Sequence, residues 1–301
     1  AAFTMSEDSC HSLKQPAPAK TKGVPFHFGK SMFADNAAYI LSSRQELETL
    51  CTAIFHHMRR FGLLMHAGTL DENGNHQTKS KTEAMFIPAR PMTQEDIDAA
   101  TTDIVFGTQY VPFTQEFQYL GSRVTTDLKD VTDINNRLCQ AKGQAAALGT
   151  FFHSTADTWS KQLIFLAIPM NTALYGAESW TLNVELRRRI SSFYHTTIRQ
   201  IIGINMHHVA EYQIKNKHIR NYFSVPDPID IIRKRQFNLL GKFARMDPTR
   251  LPRKFLTAWV SHPRRSGGQH YTLRNSYVET LQHILPNIPD NGSINSWLPL
   301  A

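Results

Sequence analysis

One carboxylate stands where the sequence predicts a tight turn between two apolar runs. Asp35, followed by Asn36, separates a run that contains Met32 and Phe33 from the run 37–41. Both Asp and Asn tolerate the positive φ angles of tight turns, so the pattern predicts a β-hairpin. An unpaired carboxylate is costly to bury, so we expect Asp35 to face water, a cation or a ligand. A plain surface turn is the alternative that the residues leave open.

The segment Phe33-Ala34-Asp35-Asn36 resembles the aromatic-Ala-Asp-Asp signature of the palm active site of reverse transcriptases, particularly those of non-LTR (LINE-like) retrotransposons. The resemblance runs from about Phe26 to the end of the chain. Later blocks follow in that family's order: the Lys-Thr-Glu block 81–83, the Phe-x-Tyr-Leu-Gly-Ser block 117–122 and the Leu-Tyr-Gly-x-Glu-x-Trp block 174–180. One position departs from the family, because Asn36 stands where a second Asp belongs.

This resemblance implies two-metal nucleotidyl transfer, in which Asp35 is a ligand of Mg²⁺ or Mn²⁺. Asn36 would offer an amide oxygen without the negative charge that helps to hold the metal. By the same resemblance Lys81 lies near the incoming triphosphate, where it would neutralise charge or protonate the leaving pyrophosphate. A solvated lysine at the start of a strand is the alternative for Lys81.

The block 117–122 alternates apolar and polar residues before a Gly-Ser turn, which predicts an amphipathic edge strand. Its likeness to the retrotransposon block implies a hairpin that holds the primer terminus. Tyr119 and Gly121 are the residues that we assign to this contact with nucleic acid. The structural and the binding interpretations are compatible.

Charge is unevenly divided along the chain. Residues 1–130 carry 12 Lys and Arg against 15 Asp and Glu, whereas residues 131–301 carry 21 against 10. This asymmetry favours an acidic, metal-binding first part and a second part that binds polyanions. Two predicted helices, 184–204 and 229–246, carry the clustered cations Arg187, Arg188, Arg189, Arg233, Lys234 and Arg235. We expect these side chains to contact the phosphates of an RNA template and a DNA primer, or of a duplex, with a solvated basic face as the alternative.

The predicted fold class is α+β: a partial polymerase palm of antiparallel strands plus a covering helix, then a mostly helical, thumb-like region. The predicted boundaries are a loop or truncated upstream segment at 1–25, the partial palm at 26–125 and the basic thumb and connection at 126–301. Ser43 and Glu46 have capping-box spacing, which predicts a helix that covers the sheet carrying Asp35.

Further elements follow from local patterns. Strands are predicted over 63–66 and 80–88, and the segment 92–115 is predicted to be mostly loop with a short acidic helix over 94–98. Helices are predicted from Val131, over 158–175 with a kink or division at Pro169, and over 273–285.

Several classes of protein are disfavoured. No apolar run approaches the length that spans a bilayer, and the first residues lack a signal-peptide pattern. Cys10, Cys51 and Cys139 are far apart and are typical of reduced thiols. The spacing of the histidines His207, His208 and His218 matches no zinc template. We expect an intracellular protein, nuclear or cytoplasmic, that is neither secreted nor membrane-bound.

The family's other essential Asp lies in a palm strand well upstream of the hairpin, and the fingers precede it. Only 34 residues precede Asp35, so we expect the chain to be the C-terminal half of such an enzyme. Its missing partner would be the N-terminal half of the palm with the fingers, and we expect no polymerisation by the chain alone. The alternative function is that of a non-catalytic nucleic-acid-binding remnant.

Overall fold

The computed structural model describes residues 2–5, 13, 24–33, 36–88, 91–260, 272–288 and 293–300. The strands are β1 (Ala2–Met5), β2 (Val24–His27), β3 (Lys30–Phe33), β4 (Asn36–Tyr39), β5 (Gly68–Leu70), β6 (His76–Thr78), β7 (Ile104–Phe106), β8 (Gln109–Val111), β9 (Glu116–Tyr119), β10 (Ser122–Thr125) and β11 (Trp259–Val260). The helices are α1 (Arg44–Arg59), α2 (Gln94–Ala100), α3 (Val131–Ala147), α4 (Gly149–Phe152), α5 (Thr158–Phe165), α6 (Asn171–Ala173), α7 (Val184–Ile201), α8 (Met206–Glu211), α9 (Asn216–Tyr222), α10 (Pro228–Ala244), α11 (Leu251–Thr257), α12 (Leu273–Ile284) and α13 (Ile294–Trp297). Small antiparallel sheets together with helices confirm the predicted α+β class.

The chain divides into two compact units. Unit 1 comprises Ala1–Met5, Lys22–Lys129 and Trp259–Gln269, and unit 2 comprises Ser6–Thr21, Asp130–Ala258 and His270–Ala301. The described strands lie in unit 1 together with α1 and α2, whereas α3 to α13 lie in unit 2.

Unit 1 is built from small antiparallel sheets. The largest has the strand order β6-β5-β8-β7, while β3 with β4 and β9 with β10 form separate two-stranded hairpins. Strand β1 pairs with both β2 and β11. Gly68 in β5 is required by close packing, since a Cβ there would lie 2.2 Å from the ring of Tyr110.

Helix α1 begins as the sequence predicts but covers a different sheet. Ser43 accepts a hydrogen bond from the backbone N–H of Glu46, and Cys51 joins a buried core with Ile104 of β7 and Val111 of β8. Met32 and Phe33 of β3 stay about two-thirds exposed, at 64% and 65%. The expected cover over the sheet that carries Asp35 is therefore wrong. The reason is that β7 and β8, in a segment predicted to be mostly loop, offer α1 a more buried apolar face.

Other local expectations in unit 1 also need correction. Residues 63–66 form no strand, and within 80–88 the only described pairing is a single bridge from Ala84 to Phe113. The loop predicted over 1–25 is wrong at both ends, where β1 and the start of β2 lie. Pairing of β1 with β11, more than 250 residues later, is a non-local event that local composition cannot reveal.

Unit 2 is a helical body, and the sequence predicts the ends of its longer helices well. The Oδ1 atom of Asn183 accepts from the N–H of Leu186 at 2.9 Å, which caps α7. Pro169 lies in a π-helical turn, Leu166–Met170, between α5 and α6, so the α-helical pattern is interrupted where a kink or division is predicted. A buried core that includes Phe165, Trp180, Ile190 and Tyr194 holds these helices together.

The block 174–180 is a packing centre of unit 2. Leu174 and Trp180 are buried, and the indole Nε1 of Trp180 donates to Asp133 at 3.2 Å. Gln236 of α10 donates to the carbonyl of Trp180 at 3.3 Å and accepts from Thr280 of α12 at 2.8 Å. The block therefore ties α3, α10 and α12 to one another.

Helices in the described part of the chain are too short or too polar to cross a lipid bilayer.

Candidate nucleic-acid interface

The predicted hairpin around Asp35 is confirmed by the pairing of β3 with β4. Phe33 lies opposite Asn36 in the antiparallel register, and Asn36 is exposed at the start of β4. Ala34 and Asp35 lie outside the described residues, so the predicted metal ligand itself has no described geometry. The catalytic assignments of Asp35 and Asn36 stay predictions.

A hydrogen bond joins this hairpin to the second sequence motif. The hydroxyl of Tyr119 in β9 donates to Oγ of Ser31 in β3 at 3.0 Å, across 88 residues of sequence. Tyr119 lies on a hairpin formed by β9 and β10, and the turn residues Leu120 and Gly121 both have positive φ angles, 48° and 86°. Two blocks singled out by sequence are thus brought together within unit 1.

Lys81 is not brought into contact with these hairpins in the described structure. Its backbone N–H donates to the carbonyl of His66 at 3.1 Å, and its side chain is exposed in a loop after the buried Ser80. The predicted contact of Lys81 with a triphosphate stays a prediction.

The described residues also supply no metal centre. No group of three or more His, Cys, Asp or Glu side chains among them could hold a metal ion. Asn36 offers only a neutral amide, so the described donor set does not fit Mg²⁺, which prefers carboxylate oxygens. The predicted Mg²⁺ or Mn²⁺ stays a prediction that depends on Asp35.

The three arginines predicted on α7 differ in how far they are available to a ligand. Arg187 forms an ion pair with Glu279 of α12 and donates to the carbonyl of Leu182 at 3.0 Å, so it connects elements of unit 2. Arg188 and Arg189 both contact Glu185, at 3.2 and 2.9 Å. Hydrogen bonds from these two guanidiniums lower the pKa of the Glu185 carboxyl. The side chain of Arg188 remains 78% exposed, which makes it the most accessible of the three.

The cations predicted on α10 differ in the same way. Arg233 pairs with Asp230 at 3.0 Å. Arg235 donates to the carbonyl of Leu174 at 2.8 Å and to Asn171 at 2.6 Å, so its guanidinium supports the packing centre. Lys234 is exposed. Arg188 and Lys234 are therefore the predicted cations best placed to meet a phosphate.

Sequence reasoning missed a cleft in unit 2 between α3 and α7. It has a volume of about 1220 Å³, and its lining includes Lys142 of α3 and Arg188 and Arg189 of α7. The signal was present in α7, where Arg188, Ser192, Thr196 and Gln200 recur every four residues as an exposed polar stripe. The facing stripe on α3 has no cluster of charge, which is why composition did not reveal it.

Comparison with known proteins gives one coarse indication of origin. Over 130 residues the chain is 25% identical to a protein of Caenorhabditis elegans whose name describes it as transposon-derived and uncharacterised. The aligned part is 43% of this chain and 47% of that protein, so the chain spans about half the length of the relative. No family model matches the chain, and no solved structure matches it. The similarity is thus to transposon-derived sequence.

Proposed function

We propose that the chain is a segment of an RNA-directed DNA polymerase of a non-LTR retrotransposon. The observation that carries this proposal is the hydrogen bond from Tyr119 to Ser31, since it joins the hairpin of the Asp35 motif to that of the Phe-x-Tyr-Leu-Gly-Ser motif. A reverse transcriptase needs this proximity, because the primer terminus must be held beside the residues that act on it. Similarity to a transposon-derived protein supports the same origin.

In this proposal the two units have separate tasks. Unit 1 supplies Asp35 and Asn36 as the candidate catalytic residues, and Tyr119 is hydrogen-bonded to the β3–β4 hairpin. Unit 2 holds an RNA template and a DNA primer through their phosphates, using exposed cations such as Arg188 and Lys234. Such contacts position nucleic acid without reading its sequence, which suits a polymerase that must copy any template.

A second function, that of a non-catalytic nucleic-acid-binding protein, is favoured by one specific residue. Asn36 replaces a carboxylate with a neutral amide, which weakens binding of a divalent cation at the hairpin. The cations of unit 2 would bind nucleic acid whether or not the hairpin is active. The two functions therefore differ in catalysis and agree in binding.

Primer extension on an RNA template tests the catalytic role in which the two functions differ. We expect the chain to incorporate no nucleotides with Mg²⁺ or Mn²⁺, and Asn36→Asp to be the single change that most favours incorporation because it restores the second carboxylate. Asp35→Ala in the Asn36→Asp background is the control, and it should abolish whatever incorporation Asn36→Asp gains. Incorporation that survives Asp35→Ala would contradict the assignment of the hairpin as the catalytic site.

A further inference from the structure

The cleft between α3 and α7 has the form of a binding channel. Exposed polar residues line both walls: Asn135, Cys139 and Lys142 on α3, and Arg188, Ser192, Thr196 and Gln200 on α7. Its floor is apolar and buried, with Leu138, Phe152 and Phe193 among the lining residues. The α7 stripe runs over the thirteen residues 188–200, or about 18 Å along the helix axis.

The charge of the lining is of one sign. Lys142, Arg188 and Arg189 are cationic, and none of the described residues that line the cleft carries a carboxylate. Glu185 lies outside the lining and accepts hydrogen bonds from both Arg188 and Arg189, so one carboxylate faces two guanidiniums. Arg189 also donates to Asn135 across the cleft at 3.1 Å, which holds α3 and α7 at a fixed separation. The cleft therefore keeps a net positive charge in a fixed frame.

The shape of the cleft favours a particular kind of polyanion. Proteins meet duplex DNA by placing a convex helix or ribbon into a groove of the duplex. A concave, positively charged channel instead follows the backbone of one strand. The volume of about 1220 Å³ also exceeds the roughly 300–1,000 Å³ of most small-molecule pockets. A short stretch of unpaired strand fits both observations.

We propose that the cleft between α3 and α7 binds single-stranded nucleic acid, with Lys142, Arg188 and Arg189 on its phosphates and the hydroxyl and amide groups of α7 along the strand. This assignment rests on the proposed function, and it names the substrate of unit 2 as the unpaired part of a template strand. It adds Lys142, which no sequence motif singled out, to the binding residues.

Cys139 provides a direct probe of the cleft, because it is exposed in the lining. The whole chain carrying Cys10→Ser would be treated with N-ethylmaleimide, alone or with an oligouridine of about twelve nucleotides, which lies within the site sizes of single-strand binders. We expect the oligonucleotide, at ten times its Kd, to slow the alkylation of Cys139 about tenfold. The matched RNA–DNA duplex should slow it much less. Buried Cys51 serves as the internal control, and its alkylation should not change.

Charge removal gives an independent readout with a matched control. Lys142→Gln should weaken binding of the single strand and reduce the salt slope of its affinity by about 0.7. Lys217→Gln makes the same change at an exposed lysine of α9, outside the cleft lining, and should leave both quantities unaltered.

The alternative outcomes separate this inference from the proposed function. Binding of oligonucleotide that leaves the alkylation of Cys139 unchanged would overturn the cleft assignment and leave nucleic-acid binding by the chain intact. Equal protection by duplex and single strand would overturn the preference for an unpaired strand. Failure of both nucleic acids to bind would overturn the inference and the proposed function together.

Discussion

The buried residue His195 makes the stability of unit 2 depend on pH. Its side chain is 1% exposed, its Nδ1 lies 2.7 Å from the carbonyl of Ser191, and its Nε2 lies 3.0 Å from the guanidinium of Arg220. These partners fit a neutral ring that donates from Nδ1 and accepts at Nε2. Asp227, which pairs with Arg220 at 3.2 Å, raises the pKa of His195, but burial dominates and holds the pKa below its ordinary value of 6.5.

We therefore expect His195 to destabilise the fold in mild acid. Because the pKa of His195 is lowered on folding, the unfolded chain binds the proton more readily. The contribution of the neutral ring to the free energy of unfolding is therefore fully present above pH 6.5 and is lost as the pH falls below that value. The slope from one such group is at most about 1.4 kcal/mol per pH unit. Urea denaturation at about pH 7.5 and about pH 5.5 measures how much unfolding free energy is lost between these values. This loss should be smaller in His195→Gln than in the unaltered chain. Equal losses in both proteins would mean that His195 does not contribute.

At the scale of elements, helices were predictable and strands often were not. Helix α1 after Ser43, α7 after Asn183 and the division at Pro169 follow from caps, periodicity and proline geometry, all of which act within a few residues. Strands β1 and β8 escaped prediction because each is short and pairs with a distant strand, β11 and β5 respectively. Strand β7 is equally short and pairs with β8. The same holds for the candidate site. Each of its two hairpins was predictable from local sequence, but the hydrogen bond between them was not.

In the turn between β9 and β10, Leu120 has a backbone conformation that is unfavourable for leucine, and a single substitution should relieve this strain. Leu120 has a φ of 48°, a conformation that costs an ordinary L-residue about 1–2 kcal/mol, and its side chain is 40% exposed. Asn followed by Gly is the preferred pair for such two-residue turns. We expect Leu120→Asn to stabilise unit 1 by about 1 kcal/mol, measured as a higher thermal midpoint. Gly121→Val should lower the midpoint, and a lower midpoint for Leu120→Asn as well would show that contacts of Leu120 outweigh its backbone strain.

At the scale of the whole molecule, the asymmetry of charge coincides with a difference in architecture. Residues 131–301 carry a net charge of +11, whereas residues 1–130 carry −3. Most of residues 131–301 belong to the helical unit 2. Sequence predicted this basic helical region, but it could not predict which cations are available. Arg187 and Arg235 are engaged in contacts within unit 2, whereas Arg188 and Lys234 are exposed. That distinction depends on tertiary partners such as Glu279 and the carbonyl of Leu174.

In the proposed function, the chain binds nucleic acid through phosphate contacts made by unit 2. The most direct test of this claim is the affinity of the whole chain for an RNA–DNA template–primer, measured by fluorescence anisotropy between roughly 50 and 200 mM salt. We predict a steep decline of log affinity with log salt. The slope should be shallower by about 0.7 in Arg188→Gln, whose side chain faces the unpaired part of the template, and by about 0.9 in Lys234→Gln. Arg235→Gln is the comparison, since that guanidinium is engaged in unit 2, and its slope should equal that of the unaltered chain. Affinity that is independent of salt, or no binding at the lowest salt, would contradict the claim.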